Sequence, residues 1–213
     1  ATDAGGRVLE QIQATAPSTS GTLEEIIDNA GSGAAAFPQS SYTRWRTMQY
    51  TDCCLVESER VYHTIPTSGE GAEGTNYDET VYGYDVRKRR NRTVTPGGTI
   101  TRTVIDVRSL VTSVWIGTDD FGGTATDPSG GGAPGNNMQI VTESVYDGGT
   151  DGGDGYLTEQ TQYARDSDAR VTMFTYETSL IGPMVVVMSM AVIGVHGMLS
   201  GTASMDFGGR QNT

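Results

Sequence analysis

The chain has little of what catalytic or disulfide-stapled proteins rely on. It contains two histidines, two cysteines and four phenylalanines in 213 residues. Cys53 and Cys54 are neighbours, so they cannot staple distant segments, and a disulfide between them would be strained. Two free, partly buried thiols are the expected state. His63 and His196 show no metal-ligand spacing, and two cysteines without other ligands do not make a zinc site. A Gly-x-Ser-x-Gly elbow is absent. Acidic residues are abundant, but nothing singles out a glycosidase pair. The conceivable nucleophilic pairing is Cys53 or Cys54 with His63. These absences point away from an enzyme.

Charge is missing from one stretch. Between Glu177 and Asp206 there is no Asp, Glu, Lys or Arg, and residues 184–193 are apolar but for Ser189. A membrane helix needs about 20 such residues. Pro183, Gly194, His196 and Gly197 interrupt the run, and its β-branched content favours buried strands over a membrane segment. Residues 1–10 lack the basic-then-apolar order of a secretory leader. The chain opens without Met inside a repeat-like phrase, which reads as a processed product or a slice of something longer.

What is present is threonine, glycine and negative charge. There are 29 Thr and 29 Gly, 36% of residues are hydrophobic, and the net charge is −12. Thr favours pleated strands and Gly favours turns. Recurring Tyr, Val and Ile in strand-like runs argue against disorder. The acidity argues against general nucleic-acid binding, which needs phosphate neutralisation. Seven of the fourteen basic residues fall within residues 84–108: Arg87, Lys88, Arg89, Arg90, Arg92, Arg102 and Arg108. They read as a strand face paired with acidic neighbours; the other reading is a stripe for RNA or polysaccharide.

Strands are expected at 42–50, 55–65, 110–116, 138–146, 156–163 and 170–176. A hairpin is expected around Pro96-Gly97-Gly98, between Thr-rich alternating runs. A capping-box pattern predicts one short helix near 23–30. Residues 118–137 form a long Gly/Asp/Pro loop, in which Asp127-Pro128-Ser129-Gly130 reads as flexible linker.

A short phrase recurs: an acidic residue, spacers, then often Gly-Arg or a variant. Its copies are Asp3-Ala4-Gly5-Gly6-Arg7, Tyr84-Asp85-Val86-Arg87-Lys88-Arg89, Asp106-Val107-Arg108-Ser109-Leu110 and Tyr146-Asp147. Tyr176-Glu177 is a degenerate copy, and Asp206-Phe207-Gly208-Gly209-Arg210 stands near the end. Such self-similarity means modules that share their core with neighbours. Each residue type has a structural use. Gly6 and Gly209 permit a positive φ. The aspartates bond backbone N–H groups within the turn. Arg7, Arg89 and Arg210 reach a neighbour's carboxylate, and Tyr84 and Tyr146 offer a flat ring with a polar tip.

These phrases resemble the YD-repeat, or RHS, family of large bacterial surface and secreted proteins. The match is best over residues 60–176, and the long Gly/Asp insertions are similar in style to giant repeat proteins of planctomycete-type bacteria. The resemblance implies β-hairpin strips that pack side by side and spiral, sometimes around a hollow shell. Lys88 departs from it by replacing the expected Gly, and residues 178–204 match poorly.

Two site readings remain. Asp147, Asp151 and Asp154 lie in one Gly-rich loop and suit either calcium or plain turn chemistry. Asn91-Arg92-Thr93 is a formal glycosylation sequon at Asn91. The expectation is an all-β array of YD-like hairpins with long Gly/Asp loops. It comprises an N-terminal strand, loop and helix (1–50), a hairpin array (51–177) and an apolar strand with a terminal phrase (178–213). The expected function is an extracellular structural unit that assembles head-to-tail into a homopolymeric filament or shell. The alternative is a glycan-binding adhesin or tail-fibre-like module holding sugars on exposed Tyr and Trp. No cofactor is expected beyond calcium, and no nucleic-acid or membrane partner.

Overall fold

The computed structural model describes residues 1–15, 38–149, 153–164, 169–179 and 182–190. The expected helix near 23–30, Asp151 and the phrase from Asp206 to Arg210 lie outside them. The protein is all-β. Among the described residues eleven strands follow one another in chain order as a single antiparallel meander. They are β1 (Glu10–Ala14), β2 (Tyr42–Tyr50), β3 (Val56–Tyr62), β4 (Tyr77–Tyr84), β5 (Arg90–Val94) and β6 (Ile100–Ile105), then β7 (Val111–Gly117), β8 (Gln139–Tyr146), β9 (Leu157–Tyr163), β10 (Ala169–Ser179) and β11 (Gly182–Met190). One sheet runs through all three expected segments. A meander of this kind puts its connections alternately on two edges. Tight turns join β2 to β3, β4 to β5 and β6 to β7 on one side, the turn edge. The long connections lie on the other, the loop edge.

The two faces differ because side chains alternate along each strand. One face carries Trp45, Tyr62, Tyr77 and Ile100, all buried, and Met138 joins them at the start of β8. Trp45 stacks on Tyr62 at 3.9 Å between ring centroids, Tyr62 meets Tyr77 across the β3–β4 register at 5.2 Å, and Arg60 lies 4.8 Å above the Tyr77 ring. The opposite face is richer in Thr, including the cross-strand pair Thr93–Thr101. It leaves Val61 49% and Ile116 41% exposed. Among the described residues the buried hydrophobic core is Trp45, Tyr62, Tyr77, Ile100 and Met138.

Two loop-edge connections fold back over the aromatic face. Residues 63–76 bring Ile65 against the Trp45 cluster and set Glu70 2.8 Å from Arg60. Residues 118–138 form a folded Ω-type loop, which corrects the flexible-linker reading. Pro128 is fully buried. Asp127 accepts from Ser129 N–H, Ser129 Oγ–H and Gly131 N–H at 3.1, 2.6 and 2.8 Å. Asn136 Nδ2 donates to the carbonyls of Phe121 and Pro128. Asn137 Oδ1 accepts from Thr118 and Asp119 N–H, both at 2.8 Å. Gly123 has no room for a side chain, since a Cβ there would sit 2.7 Å from the Pro128 carbonyl and 2.8 Å from Arg102. Asx chemistry, invisible as periodicity, organises the loop. Among the described residues no helix is long and apolar enough to cross a membrane.

Candidate functional site

The phrases at Asp3, Asp85, Asp106 and Asp147 converge on one place, a rail of turns along the turn edge. Each five-residue turn closes with two backbone bonds. The first residue's N–H donates to the fifth residue's carbonyl, and the fourth residue's N–H donates to the first residue's carbonyl. These distances are 2.9 and 3.0 Å in Asp3–Arg7, 2.8 and 3.0 Å in Thr51–Leu55, 2.9 and 2.9 Å in Asp85–Arg89, and 2.9 and 3.1 Å in Asp106–Leu110. Thr95–Thr99 repeats the pattern on the loop edge at 2.9 and 2.9 Å. The fourth residue takes a left-handed conformation in every copy: Gly6, Cys54, Lys88, Gly98 and Ser109 have φ of 79, 75, 65, 76 and 71°. Lys88 therefore sits where the resemblance expects Gly and adopts the glycine-like φ nonetheless.

The first residue's side chain builds the turn. Asp85 Oδ1 accepts from Arg87 N–H at 2.8 Å and Arg89 N–H at 2.9 Å, while Oδ2 takes Arg89 Nε–H at 2.7 Å. Asp106 does the same with the N–H groups of Arg108 and Leu110, at 2.8 and 2.9 Å. Asp3 does so with those of Gly5 and Arg7, both at 2.9 Å, and it also pairs with the Arg7 guanidinium. Thr51 Oγ1 gives a weaker version, accepting from Leu55 N–H at 3.2 Å. Asp147 shows the turn stretched by an insertion. Its N–H donates to Tyr156 O at 2.7 Å, and its carboxylate accepts from Gly155 and Tyr156 N–H, with Gly155 at φ 84°.

After each of these turns on the turn edge the register slips by one residue, whereas the Thr95–Thr99 turn keeps it. Tyr50 pairs Val56 but Gln49 pairs Ser58, Tyr84 pairs Arg90 but Gly83 pairs Arg92, and the same step recurs at Ile105/Val111 and Tyr146/Leu157. A bulge at a fixed offset turns the strand and re-aims its side chains. It brings the tyrosine before a turn onto the strand leaving the previous turn of that edge. Tyr50 Oη–H donates to Val8 O at 2.9 Å, Tyr84 to Val56 O at 2.7 Å and Tyr146 to Val111 O at 3.1 Å. The degenerate copy keeps this contact: Tyr176 donates to Leu157 O at 2.8 Å although β10 continues beyond it.

Arginines link successive turns. Arg89 Nη1–H donates to Asp106 O at 2.6 Å and to Ser109 Oγ at 3.1 Å. Arg108, the third residue of its turn, holds its own Asp106 at 3.1 Å and reaches Asp147 Oδ2 at 2.5 Å. Arg89 thus meets its neighbour's backbone, and Arg108 meets its neighbour's carboxylate. The carboxyl of Asp3 is held below its ordinary range, chiefly by the Arg7 N–H. At Asp85, Asp106 and Asp147 burial opposes ionisation, but hydrogen bonds from backbone N–H groups and from Arg89 or Arg108 outweigh it and lower the pKa.

A second cluster lies on the aromatic face and has no sequence signature. Arg92 and Arg102 are directly cross-strand, a like-charge pair that is unfavourable alone. Asp120, from the 118–138 loop, comes down between them. It accepts from Arg92 Nε at 2.7 Å and Nη2 at 3.0 Å. Arg102 Nε lies 2.9 Å from the same carboxylate, but its N–H is not aimed at it, so that contact is Coulombic. Hydrogen bonding from Arg92 holds Asp120 below the usual carboxylate range, while burial and then Arg92's charge lower the pKa of Arg102.

Other expected site residues take structural places. Asn91 is 8% exposed in β5, so the sequon is closed to a glycan while the strand is folded. Cys53 and Cys54 are free but exposed, which corrects the partly buried expectation. They occupy the Thr51–Leu55 turn, whereas His63 follows β3 on the opposite edge. Among the described residues no three His, Cys, Asp or Glu side chains cluster in a way that could hold a metal. Trp45 stacks on Tyr62, which meets Tyr77 at a 55° tilt, and all three rings are buried rather than exposed for a sugar.

No family model and no curated protein matches the chain. Among solved structures it is similar to the crystal structure of TcdB2-TccC3-Cdc42, with 13% identity and a TM-score of 0.39 over 86% of this chain and 9% of that one. It is also similar to TcdB2-TccC3 without its hypervariable C-terminal region, with 14% identity and a TM-score of 0.41 over 82% and 9%. The chain spans 9% of the length of these two chains. Similarity at this level leaves family and function to the chain's own geometry.

Proposed function

We propose that this chain is a structural strip of a larger extracellular or surface assembly, built in the manner of YD-repeat proteins. The observation that supports it best is the rail itself. Aspartate, tyrosine and arginine at repeated positions are spent on closing one turn and joining it to the next. Val61, Ile116 and Met173, 49%, 41% and 50% exposed on the sheet, also offer apolar surface that a neighbour would cover. Copies join head-to-tail, with junctions near residues 1–15 and 180–213. A heterologous contact of this kind grows a filament unless its rotation happens to close. The strip does no chemistry: substitution of His63, His196, Cys53 and Cys54 leaves assembly unchanged. Light scattering and electron microscopy of the purified chain test the proposal. Particles that lengthen with concentration are expected; a monodisperse monomer at every concentration overturns it.

A further inference from the structure

One arginine on the sheet has nothing to hold. Among the described residues the Arg44 side chain makes no hydrogen bond, ion pair or ring contact. The other described arginines are all engaged, most of them by carboxylates, Arg87 by the Val107 carbonyl and Arg90 by the Tyr82 ring. Carboxylates are not scarce, since the chain has 26 Asp and Glu against 14 Lys and Arg. Among the described residues none is placed to pair with Arg44.

Arg44 borders a cavity of about 500 Å³. The register puts Gln13 opposite Arg44, Gln11 opposite Arg46, and Arg46 opposite Val61. Because side chains alternate along a strand, these five project on the Thr-rich face, away from Trp45 and Tyr62. The backbone of Ile12, Trp45 and Tyr62 forms the floor between them. Along each strand the corners are roughly 6.6–6.8 Å apart, and across the strands about 5 Å. Arg46 is already met by Glu59 on β3, at 2.6 Å, so Arg44 brings the uncompensated charge. Neither Gln11 nor Gln13 has a side-chain partner among the described residues. Val61, 49% exposed, supplies an apolar wall.

Each group narrows the ligand. A guanidinium fork is matched by a planar carboxylate, bound through two parallel N–H···O bonds. A carboxamide both donates and accepts, which suits hydroxyl groups, since they do the same. An apolar wall suits the C–H face of a ring, and the cavity is of the size that takes small molecules. We propose that this cavity binds a hydroxylated carboxylate, the chemistry of a uronic acid, with the carboxylate on Arg44 and the hydroxyls on Gln11 and Gln13. The site lies apart from the rail and does not depend on assembly.

Saturation-transfer NMR on the full chain tests it, because the ligand is observed and the protein can be monomer or polymer. The probes are D-galacturonate, D-galactose, which lacks the carboxylate, and acetate, which lacks the hydroxyls. Galacturonate is expected to bind with a millimolar dissociation constant, the scale for so small a ligand. It should bind about tenfold or more tightly than either control, because hydrogen bonds to a charged group outweigh neutral ones. Arg44→Gln should weaken galacturonate by about tenfold or more and leave the melting temperature unchanged. Gln11→Ala/Gln13→Ala should weaken galacturonate and leave acetate unchanged. Lys88→Gln removes one positive charge elsewhere and should change nothing. A trimer of galacturonate that binds more tightly than the monomer assigns the ligand to a polysaccharide, and equal affinity assigns it to the free acid; both support the site. Galactose or acetate binding as tightly as galacturonate overturns the proposal. So does an Arg44→Gln chain that binds normally, a Lys88→Gln chain weakened as much as Arg44→Gln, or the absence of any saturable galacturonate signal.

Discussion

Replacing Tyr84 by Phe removes one hydroxyl and keeps the ring, so it isolates the bond to the Val56 carbonyl at 2.7 Å. A neutral hydrogen bond of this kind contributes about 1 kcal/mol net. In a chain of this length each kcal/mol moves the melting temperature by about 2–4 °C. Tyr50, Tyr146 and Tyr176 make the equivalent bond at 2.9, 3.1 and 2.8 Å. Neighbouring stitches are two strands apart, or four between Tyr84 and Tyr146, so at least roughly 9–10 Å, where mutational effects largely add. The four-fold Phe variant should therefore lose about 4 kcal/mol, a large share of a typical domain's stability. Tyr82 is the control, since its ring lies beneath the Arg90 guanidinium at 5.1 Å and Phe retains that face; Tyr82→Phe should cost close to nothing. Thermal melts followed by circular dichroism, with hydrogen exchange at Val8, Val56, Val111 and Leu157 to locate the loss, provide the assay. If the four single variants melt like Tyr82→Phe, the stitches are incidental and the rail is held by its turns alone.

Asp120→Asn should destabilise by about 1–3 kcal/mol, because it leaves the half-buried Arg92–Arg102 pair uncompensated; urea unfolding measures it. Lys88→Gly should stabilise by roughly 0.5–1 kcal/mol, since Lys88 holds a left-handed φ that favours glycine, and Ser109→Gly should gain less, because it also removes the acceptor of an Arg89 hydrogen bond. Gly98→Val should destabilise while Gly97→Val is tolerated, because Gly98 alone of the two has a positive φ; protease resistance distinguishes them. Asp3, Asp85, Asp106, Asp120, Asp127 and Asp147 all have lowered pKa values in the fold. Their stabilisation is thus present above about pH 4, the unfolded aspartate value, and is lost as pH falls through the folded values. Melting temperature should hold between pH 5 and 8 and drop below pH 4, less steeply in Asp85→Asn/Asp106→Asn. A chelator is expected to leave the melting curve unchanged, because Asp147 is already engaged by two N–H groups and Arg108; a lower melting temperature would assign calcium to the 147–154 loop.

The sheet was legible where strands alternate and turns announce themselves. The runs at 42–50, 138–146 and 156–163 correspond to β2, β8 and β9 within a residue, and Pro96-Gly97-Gly98 marked the β5–β6 hairpin. The role of aspartate in its turn could be read from residue type, since a short carboxylate reaches N–H groups two and four residues on. The turn at Thr51–Leu55 could not, because Asp52-Cys53-Cys54 lacks the phrase and Cys54 conceals a left-handed residue. The register slip after the turns of the turn edge has no residue signature, so the tyrosine's partner stayed hidden although the tyrosine itself stood out. Asp120 was legible only as loop composition. Its place between Arg92 and Arg102 depends on how 21 residues of loop fold back over a face, and local propensity does not encode that.

The two edges of the sheet divide the labour differently. On the turn edge the construction repeats and insertions are absorbed within a turn, as Gly148–Asp154 is between Asp147 and Gly155. On the loop edge the described connections include both the five-residue Thr95–Thr99 turn and the folded 118–138 loop, and two of them cross onto the aromatic face. There they meet arginines that the strands had already placed: Glu70 reaches Arg60, and Asp120 reaches Arg92 and Arg102. Arg60 also has an in-sheet partner, Glu79, at 3.0 Å, whereas Arg92 and Arg102 depend on the loop. The sheet therefore tolerates change in the 63–76 connection more readily than in the 118–138 loop. Exchanging the latter for a short turn leaves two cross-strand arginines on a face with no carboxylate between them. Such an exchange should succeed only together with Arg92→Thr or Arg102→Thr, which removes the charge that the loop exists to balance.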